Sequence, residues 1–192
     1  MRRLLAIVAL LGVLLGCVTA FGVLDRTAFE VEGDRLYMSG EIATSSPRRF
    51  FAVMEANPQV QTIVLMDMPG SVDEIAVHDM GYFIRENGLD THLTPQSEIF
   101  SGAVDLFLSG NSRTMTCCAT IGVHDWADAF GEGSDYPPDA PEHDANVAYF
   151  ETMLGSDAFY WFTLQAAGSD EMHIMTEAEL ARFGMLTAPI RN

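Results

Sequence analysis

The spacing of apolar and polar positions changes several times along the chain, and each change marks an element. "FEVEGDRLYMSGEI" alternates on both sides of Glu32-Gly33-Asp34, which predicts two short strands joined as a hairpin at a domain edge. "SSPRRFFAVMEANP" gathers Phe50, Phe51, Val53 and Met54 ahead of Asn57-Pro58, predicting a short helix entered through a serine cap. "VQTIVLMDM" is an unbroken apolar run of β-branched character, as expected of a central strand covered on both faces. It stops at "PGS". Val72, Ile75, Ala76, Met80, Phe83 and Ile84 then recur at helical spacing, with Ser71 and Glu74 spaced as a capping box and Gly88 as the stop.

Downstream, "DTHLTP" reads as a short strand and "SGAVDLFLSG" as a short apolar helix. "CCATIGVH" reads as a further strand carrying two buried thiols. Strands alternate with helices, so the fold class is α/β. From Asp125 to His143 the pattern lapses: Gly, three prolines and many acids predict a long surface loop or lid. "HDANVAYFETMLG" and "SDAFYWFTLQAAG" then predict two helices, and "MTEAELARFGMLT" a last one whose capping box is Thr176 and Glu179. No internal repeat interrupts this order.

Composition narrows the partners. With 192 residues, 48% of them hydrophobic, the chain is long enough for one well-buried core, a single domain over residues 21–192. Ten basic residues face 27 acidic ones, a formal charge of −17, which excludes a nucleic-acid partner because phosphates need cationic neutralisation. All ten basic residues are arginines. The absence of lysine removes Schiff-base chemistry, a P-loop and a Ser–Lys dyad together.

Residues 1–20 read as an export leader: Arg2 and Arg3, an apolar run from Leu4 to Leu15, then small residues. "LLGC" resembles a lipobox that would lipidate Cys17, "VTA" offers ordinary cleavage before Phe21, and an uncleaved anchor continuing to Leu24 is the third route. The product is expected in the periplasm or anchored to a membrane facing it. Cys117 and Cys118 are adjacent, and a bridge between neighbours is strained, so no disulfide framework is expected.

Three short features carry chemistry. Ser101 opens the apolar helix and Gly102 follows it; a serine there is an ordinary helix cap, and it is also placed to attack a carbonyl held by free backbone N–H groups. His124 ends the next strand, one helix and one strand later, where it can return as a general base or pack as structure. "MDMPGS" presents N–H groups at a strand-to-helix turn, which suits an oxyanion. The five histidines, at 78, 92, 124, 143 and 173, show no metal-ligand spacing, and no cofactor is expected. His78 and His92 read as structural and His143 as solvated. Trp126 and Trp161 read as packing, with Trp126 close enough to His124 to wall a pocket.

Taken in order, strand–xPGx–helix, SG–helix and strand–His resemble the Clp protease/crotonase superfamily, in particular its exported Clp-protease-like branch. Its N-S-P-G-G motif corresponds to Asp67-Met68-Pro69-Gly70-Ser71, and its final helix to "MTEAELARFGMLT". The resemblance covers about residues 35 to 187. It implies a ClpP/crotonase-like spiral of strand–helix units with a C-terminal helical segment. It further implies Ser101 as nucleophile, His124 as base, and an oxyanion hole from the N–H groups of Ser71 and Gly102, shaped by Gly70. The acid orienting His124 is assigned to Asp170; Asp125 is a poor orienter because strand neighbours point to opposite faces. The implied partners are a peptide or other acyl substrate and further copies of the chain. Ser71 departs from the family glycine. The expectation is an exported serine hydrolase with peptides as its first substrate class; the alternative is a non-catalytic binding or scaffold protein of the cell envelope.

Overall fold

The computed structural model describes residues 27–191, so the leader and Cys17 lie outside the described residues. One mixed sheet organises the rest. Its strands are β1 (Ala28–Glu32), β2 (Arg35–Ser39), β3 (Thr62–Met68), β4 (Asp90–Phe100), β5 (Arg113–Met115), β6 (Thr120–Val123) and β7 (His173–Ile174). They lie in the order β1-β2-β3-β4-β6-β7, and β5 also pairs with β4. β2, β3, β4 and β6 run parallel, while β1 and β7 are antiparallel edges. Helices α1 (Ser46–Ala56), α2 (Glu74–Glu86) and α3 (Gly102–Leu108) follow β2, β3 and β4 in turn. Helices α4 (Asp144–Leu154) and α5 (Ala158–Ala166) form the C-terminal helical segment, and α6 (Glu177–Arg182) closes the fold.

β3 is central because its run has no polar face to offer water: Ile63, Val64, Leu65 and Met68 are fully buried. The stripe that holds α2 to the sheet is Ala76, Val77, Met80 and Ile84. Val72 and Ile75, expected on that face, are 68% and 73% exposed. The reason is the start of the helix. Asp73 is the cap, its Oδ1 accepting from the Ala76 N–H, so no Ser71–Glu74 box forms. Ser71 instead pairs with Ile42 as a parallel bridge, which draws the Pro-Gly-Ser turn alongside the sheet. At α1, Ser45 makes no side-chain cap; the buried Ser46 hydroxyl accepts from Ala43 N–H and is bonded to Thr27.

β4 runs beyond "DTHLTP" to Phe100. Thr94-Pro95-Gln96 lies where the strand changes partner, from β5 at Thr91–Leu93 to β6 at Glu98–Phe100. Proline is tolerated at such an irregularity because no ladder N–H is needed there. Arginines fix the C-terminal end of the site-bearing helix and the chain after it. Arg85 donates to the carbonyls of Leu108, Ser109 and Met153, closing the C-terminus of α3. Buried Arg113 donates to Gly110, Gly184 and Met185, which holds the chain after α6 against the sheet.

Candidate active site

β3, β4 and β6 are parallel, so their C-terminal ends share one edge of the sheet, where ligands of open α/β sheets collect. There they deliver the Pro-Gly-Ser turn, Ser101 and His124. Ser71, Ser101, Gly102 and His124 all line one cavity of about 660 Å³.

Ser101 sits at the sharp turn from β4 to α3 with φ 52° and ψ −130°. A side chain costs about 1–3 kcal/mol in such a sparsely populated conformation, and the strain-bearing strand-to-helix serine is the geometry of a nucleophile elbow. The side chain makes no cap hydrogen bond, so the ordinary role of a helix-opening serine is vacant. The Ser101 N–H is held by the Gly122 carbonyl of β6, which ties the turn to the strand that carries His124.

The two neighbouring glycines are dictated by close approach. A Cβ at Gly70, which has φ +133°, would lie 3.1 Å from Ser101 Cβ and 3.6 Å from its Oγ. One at Gly102 would lie 3.0 Å from Ser71 Cβ and press on Ser71 Oγ. The turn therefore packs against the serine, with the Ser71 side chain filling the space over Gly102. Neither the Ser71 nor the Gly102 N–H donates to a backbone carbonyl among the described residues. That is the requirement for a pair of oxyanion donors.

His124 follows β6 directly and is half-buried. Its Nδ1 is buried without a partner, and no hydrogen bond joins the ring to Ser101 among the described residues. Catalytic contacts of this kind are commonly long in the absence of substrate. Asp170 is exposed and makes no hydrogen bond to His124; it sits on the turn beside Gly168. Asp125 is fully buried, its Oδ2 accepting from Ser134 N–H and its Oδ1 unpaired. A carboxylate near His124 is Glu132. Its Oε1 accepts from the Ser169 hydroxyl at 2.6 Å and the Ser169 N–H at 2.8 Å. Those bonds, and then the charge of His124, hold Glu132 below the usual carboxylate range. Glu132 belongs to the irregular 125–143 segment, where no sequence periodicity could single it out.

A second missed residue is Asp105, one acid within the apolar "GAVDLFL". It lines the cavity. Burial, reinforced by Glu74, pushes it up to about 8, so at neutral pH it carries its proton. Glu74 is itself raised by burial. Nearby, burial pushes His78 down to about 4; the neutral ring stacks on Tyr149 at 4.3 Å between centroids. Trp126 does wall the cavity, its Nε1–H donating to the Tyr160 hydroxyl. His143 is not solvated. It is 1% exposed, bonded through Nδ1 to Tyr160 and packed at 4.8 Å on Trp161. Among the described residues no group of three or more His, Cys, Asp or Glu is placed to hold a metal ion.

No protein-family model and no curated protein matches the sequence. Solved structures do match the chain in three dimensions. A membrane-bound stomatin-specific protease, as a serine-to-alanine mutant, superimposes with TM-score 0.56 at 14% identity over 81% of this chain and 78% of its own. A lysine-to-alanine mutant of it in complex with a substrate peptide gives 0.55 at 16% identity, over 81% and 74%. A putative enoyl-CoA hydratase from Streptomyces avermitilis gives 0.53 at 11%, over 88% and 68%. The fold is ClpP/crotonase-like. Within the ClpP/crotonase fold, proteases and acyl-CoA enzymes both appear among the neighbours, so the chemistry of this chain has to be argued from its own residues.

Proposed function

We propose that the protein is an exported serine hydrolase of peptidase type. The observation that carries it is Ser101, held at φ 52° without a cap bond, in one cavity with His124 and two free N–H groups. Ser101 Oγ attacks the acyl carbonyl, and its proton passes to His124 Nε2. The oxyanion is received by the N–H groups of Ser71 and Gly102. His124 then gives the proton to the leaving amine, and water, deprotonated by His124, releases the acyl group. Lysine cannot be the base, because the chain has none. Glu132 is the carboxylate we assign to hold the His124 imidazolium, in preference to Asp170. Peptide substrates are supported by the peptide-bound protease among the structural neighbours. Export is supported by the charged and apolar leader.

A fluorophosphonate probe on the folded protein tests the reading. Labelling should be abolished by Ser101→Ala and by His124→Ala. It should be slowed about tenfold or more by Glu132→Gln, in keeping with general-base losses, and unaffected by Asp170→Asn. No labelling of wild type between pH 6 and 9 would establish the other reading, a binding or scaffold protein. That reading is favoured by the Ser71 side chain over Gly102 and by the absent Ser101–His124 bond.

A further inference from the structure

The cysteines after β5 take no part in the Ser101 cavity and do not lie buried on a strand. Between β5 and β6 the chain bends at Thr116-Cys117-Cys118-Ala119, leaving Cys118 exposed and Cys117 partly so. The bend is fixed from two sides. Thr116 N–H donates to the Leu93 carbonyl of β4, and Cys117 N–H donates to the Arg191 carbonyl at 2.7 Å. Cys118 has φ +78°, in the left-handed region that side chains rarely adopt. Among the described residues Ser101 is the one other non-glycine with positive φ.

This bend has a chemical consequence. Neighbouring side chains on a strand point to opposite faces, whereas here the two sulfurs lie 3.0 Å apart. That is about 1 Å beyond the disulfide length of about 2.05 Å. We propose that Cys117 and Cys118 are a redox site that closes to a vicinal disulfide by exchange with a small disulfide oxidant such as oxidised glutathione. The exposed Cys118 thiolate attacks one glutathione sulfur, forming a mixed disulfide and expelling one glutathione thiolate. The Cys117 thiolate then attacks the Cys118 sulfur and expels the second. Two protein thiols lose two electrons and two protons, and one oxidised glutathione becomes two reduced glutathiones.

A bridge between neighbours encloses no chain, so it removes no loop entropy from the unfolded state. Exposed and constrained bridges are the readily reduced ones. The pair is therefore a reversible modification site rather than a staple, and it does not depend on the Ser–His reading. The test is redox equilibration of the folded full chain with oxidised glutathione, acid quenching, denaturation, alkylation and tryptic mass spectrometry. The peptide Thr114–Arg182 holds both cysteines and is separate from Cys17. Both alkylation sites should vanish together, with no glutathione retained, and dithiothreitol should restore both. Cys117→Ser and Cys118→Ser should each retain a glutathione adduct on the remaining thiol. Alkylatable thiols in the wild-type peptide, a stable glutathione adduct on it, or disulfide-linked dimers through it would overturn the proposal.

Discussion

Ser101 holds an unfavourable backbone conformation that its own side chain does nothing to offset, since it makes no cap bond. Such strain persists where surrounding structure fixes it, here the Ser101 N–H bond to Gly122 and the close packing of Gly70. Removing the hydroxyl leaves the strain, because the Cβ is the clashing atom. Removing the Cβ relieves it, less the extra entropy glycine carries in the unfolded chain, about 0.5–1 kcal/mol. Ser101→Gly should accordingly melt above Ser101→Ala by about 2–4 °C, the equivalent of roughly 1 kcal/mol in a domain of this size. Equal melting temperatures in calorimetry would show that the turn holds no strain for the site to use.

Elements bring together what single residues cannot. Asp105 on α3 and Glu74 on α2 line one cavity, and the burial of Asp105 there, reinforced by Glu74, makes stability depend on pH. Asp105 is raised from 3.8 to about 8. Between those values the unfolded chain has released the proton while the folded chain keeps it, so stability falls as pH rises through the window. Asp105→Asn removes the ionisation. Its melting temperature should match wild type near pH 4 and exceed it by several degrees at pH 8, since each tenfold difference in proton affinity between the folded and unfolded chains is worth about 1.4 kcal/mol at most. A constant difference across pH would contradict the assignment. The same elements show what the sequence could reveal. β3, α2 and α6 were legible because periodicity, the glycine stop and the Thr176–Glu179 box are local. The extent of β4 was not, since Pro95 reads as a terminator and only pairing with β5 and β6 carries the strand past it. That Ser101 and His124 come to one cavity could be read from the sequence because each lies at an element end. Glu132 reaches Ser169 from a loop without periodicity, a tertiary contact no local pattern encodes.

At the scale of the molecule, the −17 charge reaches the site through the acids that line its cavity. The cavity is lined by Asp73, Glu74, Asp105, Asp128 and Glu142, and by no arginine. With Asp105 protonated, the remaining carboxyls still leave a negative mouth, whose field acts on any charged reactant before contact. Low-dielectric walls strengthen that field, whereas salt shortens its reach to about 10 Å at 0.1 M and about 3 Å at 1 M. Two fluorophosphonates with the same reactive head, one with an ammonium tail and one with a carboxylate tail, separate this effect from chemistry. At low salt the cationic probe should label Ser101 about tenfold faster, at the lower end of electrostatic steering. At 1 M salt the two rates should converge, the cationic probe slowing and the anionic one speeding up. A rate ratio that salt leaves untouched would assign the preference to direct contacts in the cavity and not to the field of the acidic surface.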